Sequence, residues 1–313
     1  MPSLPAFLLP PVIRLTGRRR RSRSTEATRA RMEAMHRTPA PFEPPAGIAR
    51  DVDVSREDAE GMPVFRLRPR GGGTRGAVAG ERRDPASAPV VVYLHGGSFT
   101  NEIVPTQWRY AAGLAARTGA EIVVPIYPLA QDGGRAGEVV GRIAALAASI
   151  HGVDAARPLV LLGDSAGGTL ALAAARVLRD AGGPAAPVVL ISPALDLAFD
   201  DPEALRLAPR DPWLALPGLH ATAERWRGAL PLGDPRVSPI HAPLTGLGPI
   251  LIASGTRDLL NADAHRLAAA AREAGHPLEL VEAPGGVHVF PFFPTADGRA
   301  ARERIDAFVR ATR

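Results

Sequence analysis

Five residues, Gly163-Asp164-Ser165-Ala166-Gly167, set a hydroxyl among small side chains, between the apolar run "PLVLLG" (158–163) and an alanine-rich stretch of helical composition. A Gly-x-Ser-x-Gly spacing at a strand-to-helix turn has a steric logic. The serine takes a strained backbone conformation, and its small neighbours let strand and helix approach. Its Oγ then stands at a helix N-terminus, where partial positive charge favours a nearby oxyanion. The chemistry that suits such a serine is nucleophilic attack on an acyl carbon, and it requires a base. Of the eight histidines, His288 lies in the glycine-containing "APGGVHVF" (283–290), directly after the last apolar run, "LELVEA" (278–283). His265 falls inside the helical "NADAHRLAAAAREAG" and reads as a helix-surface residue. His36, His151, His220, His241 and His276 read as lying in or beside loops or the tail.

A base needs an orienting acid, which fixes its tautomer and stabilises the imidazolium formed during reaction. "PILIASGTRDLLNAD" supplies two, Asp258 immediately after an apolar run and Asp263 in the first turn of the following helix. An acid in a first helical turn is accounted for by the helix dipole. Asp258 is therefore the expected orienter. Donors for a developing oxyanion are sought in the N–H of Ala166 and in "VVVYLHGGSF" (90–99), where Gly96, Gly97 and Ser98 follow a β-forming run. Loss of one such donor typically costs about 2.7–4 kcal/mol of transition-state stabilisation.

These residues must be positioned by something, and the pattern around them is regular. "VVVYL" (90–94), "EIVVPIY" (121–127), "PLVLLG", "PVVLIS" (187–192), "PILIAS" (249–254) and "LELVEA" are unbroken apolar runs separated by helical stretches. Continuous apolar strands alternating with helices form a parallel sheet covered on both faces. "RDVDVS" (50–55) and "MPVFRLRP" (62–69) alternate instead, which predicts an antiparallel pair with one wet face and brings the strand count to eight. The fold class is thus α/β, an eight-stranded mostly parallel sheet with helices on both faces. "GGGTRGAVAGERRDPASA" (71–88) reads as a loop, and Gly182-Gly183 closes the helix after Ser165. More than fifty residues separate the runs at 187–192 and 249–254; this insertion reads as about two helices and holds Trp213 and Trp226.

The N-terminus departs from the rest. An apolar stretch broken by Pro5, Pro10 and Pro11 precedes the arginines 18–21, too short for a spanning helix and with the charge on the wrong side for a signal peptide. It reads either as a membrane-surface or lid segment or as a loosely docked tail. "STEATRARMEAMHR" (24–37) predicts a helix capped by Ser24 or Thr25, followed by a stiff proline-rich connector. All 37 basic residues are arginine, and beyond the N-terminus they alternate with acids. No extended basic stripe results, which argues against nucleic acid as a partner. The absence of cysteine excludes a thiol nucleophile, thiolate metal sites and a disulfide scaffold.

Taken together, "HGGSF", "GDSAGG", "SPALDL", "GTRDLL" and "HVF" stand in the order and spacing of the hormone-sensitive-lipase-like esterases of the α/β-hydrolase superfamily, which the chain resembles over roughly residues 50 to 310. The resemblance implies ester hydrolysis through an acyl-enzyme, with neither metal nor cofactor, and the Pro-rich and bulky apolar residues of the cap point to short to medium acyl chains or compact apolar alcohols. It implies Ser165 as nucleophile, His288 as base, Asp258 as orienter, and an oxyanion hole from Gly96, Gly97, Ser98 and Ala166. The family's usual loop is His-Gly-Gly-Gly, so Ser98 is a departure that keeps the N–H but adds a side chain, and Gly96 and His95 shape the turn. It further implies a cap from residues 1–45 and about 197–240 over a catalytic domain spanning 46–313. An amidase or peptidase on the same triad is the rival enzyme; a small-molecule receptor is the rival of another class and requires a lost triad member. A small-molecule ester is the expected partner, with a peripheral membrane contact and a homodimer left open, and the expected location is the cytoplasm or a membrane surface.

Overall fold

The structure is a computed structural model that describes residues 4–70 and 88–312; but for Ala88, the loop expected at 71–88 lies outside the described residues. Eight strands form one sheet: β1 (Val52–Ala59), β2 (Met62–Pro69), β3 (Val90–Leu94), β4 (Glu121–Pro125), β5 (Leu159–Asp164), β6 (Val188–Ile191), β7 (Ile250–Gly255) and β8 (Leu278–Ala283). Their spatial order is β1-β2-β4-β3-β5-β6-β7-β8. β1 and β2 pair antiparallel, as do β2 and β4, and every other pairing is parallel. The wet face expected of both early strands is clear in β1; in β2 it shrinks to Arg66 and Arg68, because Met62 and Val64 pack into one core and Phe65 and Leu67 into the other. β2 is flanked on both sides, and Met62, Val64, Phe65 and Leu67 are buried.

The helices are α1 (Leu9–Leu15), α2 (Arg18–Arg21), α3 (Thr25–Arg37), α4 (Pro105–Thr118), α5 (Ala136–Val153), α6 (Ala166–Asp180), α7 (Pro202–Leu207), α8 (Leu216–Arg227), α9 (Asn261–Glu273) and α10 (Ala296–Ala311). Alternate residues of each central strand face opposite sides. Val90, Val92 and Leu94 pack with Val140 and Ile143 of α5, Leu170 of α6 and Leu267 of α9. Val91 and Tyr93 pack on the other face, with Trp108 of α4 and Ile305 of α10. Each fully buried aliphatic side chain contributes about 1.5–3 kcal/mol, so this double-sided core dominates the stability.

Register brings the loops together. Leu94 lies beside Gly163 and Asp164 beside Ile191, which sets the chain after β3 next to the chain after β5. Gly255 lies beside Ala283, which does the same for the loops carrying Asp258 and His288.

The N-terminal helices and the α7–α8 segment lie against each other. Ser24 caps α3 by accepting from the Ala27 N–H at 3.2 Å, and α3 packs on α8. A Cβ on Gly218 of α8 would fall 2.7 Å from Ser22 Cβ, so the two chains touch there with no side chain between. Leu9 and Ile13 are buried against Val287, a docked arrangement rather than a loose tail. Among the described residues no helix is long and apolar enough to cross a membrane.

Candidate active site

Ser165 sits between β5 and α6 with φ 54° and ψ −120°. A non-glycine residue so far from the favoured regions stores about 1–3 kcal/mol, held here by surrounding bonds. Its N–H donates to Ile191 O at 2.8 Å and its carbonyl accepts from Gly168 N at 2.9 Å. The two glycines of the motif are steric necessities: a Cβ on Gly163 would lie 2.0 Å from Gly167 O, and one on Gly167 would lie 1.9 Å from Leu94 O.

The structure brings Ser165, His288 and Asp258 together across 123 and 30 residues of chain. Nε2 of His288 lies 3.0 Å from Ser165 Oγ, and Nδ1 lies 2.8 Å from Asp258 Oδ2. A carboxylate only accepts, so Nδ1 carries the proton and Nε2 is left to accept the serine proton. All three residues are buried. Burial opposes protonation of His288, but the Asp258 charge and hydrogen bond, with Asp211 and Asp164 behind them, outweigh it and hold the ring above its ordinary value. The His288 loop is itself tied down, since Val289 N donates to Ser192 Oγ at 2.9 Å.

After β3 the chain turns sharply. Gly97 has φ 137°, and Ser98 and Phe99 have φ 55° and 61°. Ser98 thus occupies a left-handed position that favours glycine. Among the described residues the N–H groups of Gly97, Ser98 and Ala166 have no hydrogen-bond partner, and all three residues border Ser165 or share its cavity. Gly96 corrects the expectation that it joins this donor set. Its N–H donates to Asp164 Oδ1 at 3.0 Å, and a Cβ there would lie 2.9 Å from Ser165 Cβ, so Gly96 serves close approach.

Sequence reasoning passed over Asp164 as a spacer in the motif. Buried beside the nucleophile, it accepts from Tyr93 Oη at 2.6 Å, from Gln107 Nε2 at 2.9 Å and from Gly96 N. Burial pushes its carboxyl above the ordinary value, and these donors oppose the shift. The signal was available: an acid ending a buried strand needs several donors, and Tyr93 and Gln107 are polar residues in apolar patterns. His95 stacks on Tyr127 at 4.4 Å and donates from Nδ1 to Gly96 O at 2.9 Å; burial pushes its ring down to about 4, so it is neutral.

Asp263 lies in the first turn of α9, as expected, and does more than complement its dipole. It is buried and accepts from Leu195 N at 2.8 Å and Asp196 N at 2.9 Å, which fixes the chain leaving β6, and burial pushes it up to about 7. His265 is exposed beside Glu282, as a helix-surface residue should be; His36 and His151 lie in the last turns of their helices, beside loops, whereas His220 lies inside α8. Trp213 was also missed as a site residue; its ring meets His288 edge-on at 5.6 Å.

Ser165 and His288 open onto a cavity of about 490 Å³. One wall is apolar, with Trp213, Leu219, Phe292 and Phe293; another is polar, with Asn101 and Glu102. Both N-terminal and α7–α8 segments reach it, through Val12, Ile13 and Leu214. The arrangement can attack a carbonyl, hold the resulting oxyanion on two or three N–H groups and pass a proton through one imidazole.

A profile of the α/β-hydrolase fold matches residues 91–292. The chain is 34% identical to an acetyl-hydrolase of Streptomyces hygroscopicus over 70% of its length and 75% of that protein's. It is 36% identical to a triacylglycerol lipase of Mycobacterium tuberculosis over 63% of its own length, but spans only 41% of that lipase. Among solved structures, an esterase from the bacterial hormone-sensitive lipase family superposes with a TM-score of 0.78 at 27% identity, covering 100% of this chain and 99% of the other. EstE7, a hormone-sensitive-lipase homologue from a metagenome library, gives 0.77 at 26%, covering 99% of each chain. The chain belongs to the α/β-hydrolase-fold family, in its hormone-sensitive-lipase-like branch.

Proposed function

We propose that this protein hydrolyses carboxylic esters through an acyl-enzyme on Ser165. The observation that carries the reading is the bonded chain from Ser165 Oγ through His288 to Asp258, at 3.0 and 2.8 Å. Oγ attacks the carbonyl carbon as Nε2 takes its proton, and the oxyanion lies on the N–H groups of Gly97, Ser98 and Ala166. His288 hands the proton to the departing alkoxide, which leaves as the alcohol. It then deprotonates a water that attacks the acyl carbon, and Ser165 recovers its proton as the acid departs. Asp258 stays ionised and holds the ring. The receptor alternative loses its basis, since it requires a missing member of this chain.

Residues 1–45 and about 197–240 act as the cap of a catalytic domain at 46–313, a division supported by their joint contribution to the cavity. The cavity's size and apolar wall support short to medium acyl chains. A peripheral contact with anionic lipid is supported by α1 and its approach, where Phe7 and Leu15 are 75% and 86% exposed. Arg14 lies beside them and shares a groove with Arg206, Arg210 and Arg257. Apolar insertion and basic residues are the two signals that stable surface binding needs.

Turnover of p-nitrophenyl esters of increasing acyl length tests the reaction. Activity should peak at short to medium chains and vanish in Ser165→Ala; a variant that keeps its turnover overturns the reading. Flotation with anionic vesicles should recover the native protein and lose Phe7→Ser/Leu15→Ser. Equal recovery of both removes the lipid contact.

A further inference from the structure

Asp211 is a buried carboxylate that ester hydrolysis as described leaves unused. It lies between α7 and α8, in the segment that covers the cavity, yet it has no solvent exposure at all. Oδ1 accepts from Trp213 N at 2.7 Å and from Leu214 N at 2.8 Å. Oδ2 accepts from Leu259 N at 2.9 Å, and Leu259 is the residue after Asp258. One side chain therefore joins the covering segment to the loop of the orienting acid, 48 residues away. Trp213, held by Oδ1, is the ring that meets His288 edge-on. The N-terminal segment grips the same turn, since Arg19 donates to Ala208 O at 2.9 Å and to Leu214 O at 3.3 Å.

A second carboxylate beside Asp258 is costly. Burial and the Asp258 charge push Asp211 up to about 6, against the bonds from Leu259 and Leu214 and the pull of His288. A hydrophobic residue would avoid that cost, so stability alone does not account for a carboxylate here. We propose that Asp211 is a positioning residue, a cap-borne carboxylate that fixes the Asp258 loop and the Trp213 wall around His288 as one unit. The inference rests on the roles given to Ser165, His288 and Asp258. It makes docking of the cap part of assembling the triad, so a displaced cap takes from the acid loop the acceptor of its Leu259 N–H.

Asp211→Asn separates this from general stabilisation. The amide keeps an acceptor for Trp213 and Leu214 but turns an NH2 donor toward the Leu259 N–H, breaking only the link to the acid loop. The groups facing His288 are Asp258, Asp211 and Asp164, with Arg19 near Asp211. Removing one negative charge lowers the His288 pKa. In Asp211→Asn, kcat per active site, counted by organophosphate titration, should fall about tenfold, KM for a short ester should change little, and the acid limb of kcat/KM should move to lower pH. The lost charge moves that limb whatever the role of Asp211, so kcat per active site is the deciding readout: a role confined to stability lowers the melting temperature and leaves kcat native, and native kcat overturns the proposal. If the asparagine variant does not fold, Asp211→Glu keeps the charge but misplaces the acceptors; it should keep the native limb and lose turnover, and native turnover overturns the proposal. The His288 ring protons, followed by NMR across pH, report the same shift whether or not an ester turns over, which separates failure of this proposal from failure of the hydrolase reading.

Discussion

The floor of the site and its cover are held by different means. On the floor, every reacting side chain follows a strand of the sheet within a few residues, and the sheet's hydrogen bonds set its place: Ser165 after β5, Asp258 after β7, His288 after β8. The cover has no sheet. Its attachments include the stack of Trp226 on Phe99 at 4.4 Å, the bond of Asp211 to the Leu259 N–H at 2.9 Å, and Leu9 and Ile13 against Val287. A framework of many cooperative bonds resists displacement, whereas individually anchored elements can open locally. Substitutions of the reacting groups in the floor should therefore act on kcat at native stability, and those in the cover on stability and substrate range, except at Asp211, which reaches the Asp258 loop.

The largest effect should come from Ser165→Ala, which removes the nucleophile and should lower kcat by about a millionfold while leaving the melting temperature within the native range. Asp258→Asn tests whether the ring must be held in one tautomer. A drop of about ten-thousandfold is expected, measured as kcat on a p-nitrophenyl ester. Trp226→Ala should reverse the pattern: a loss of about 3–5 kcal/mol by denaturant unfolding, with the chemical step affected only through the cover. If it lowers kcat as Asp258→Asn does, floor and cover are not separable.

The pH profile sharpens the comparison further. His288 must be neutral to act as base, and its folded pKa is raised, so kcat/KM should fall as pH drops, with its midpoint above the ordinary imidazole value of about 6.5. A midpoint below that value places burial ahead of the Asp258 charge. Ser98→Gly should matter least. Relief of the left-handed strain is offset by the greater freedom of glycine when unfolded, so stability should stay within about 1 kcal/mol and turnover within about twofold.

Much of the floor was readable from residue order, because a steric requirement leaves a local trace. Gly163 and Gly167 are the only small residues that fit those contacts, and unbroken apolar runs announce strands covered on both sides. Ser165, Asp258 and His288 followed from strand-end position. What stayed hidden depends on partners far away in the chain. The Gly96 N–H looked free until Asp164 reached it across 68 residues, and Asp263 looked like a dipole complement until the chain at Leu195 closed over it. Asp211 and Trp213 lay in an insertion whose pattern specified helices but not what its turns would touch. The cover is thus legible as existing, and its attachments are tertiary.

The central claim is that Ser165 forms the covalent intermediate. Native protein treated with diethyl p-nitrophenyl phosphate should lose turnover in step with one phosphoryl adduct per chain, and peptide mass mapping should place that adduct on Ser165. An adduct on another residue, or complete inactivation without one, contradicts it.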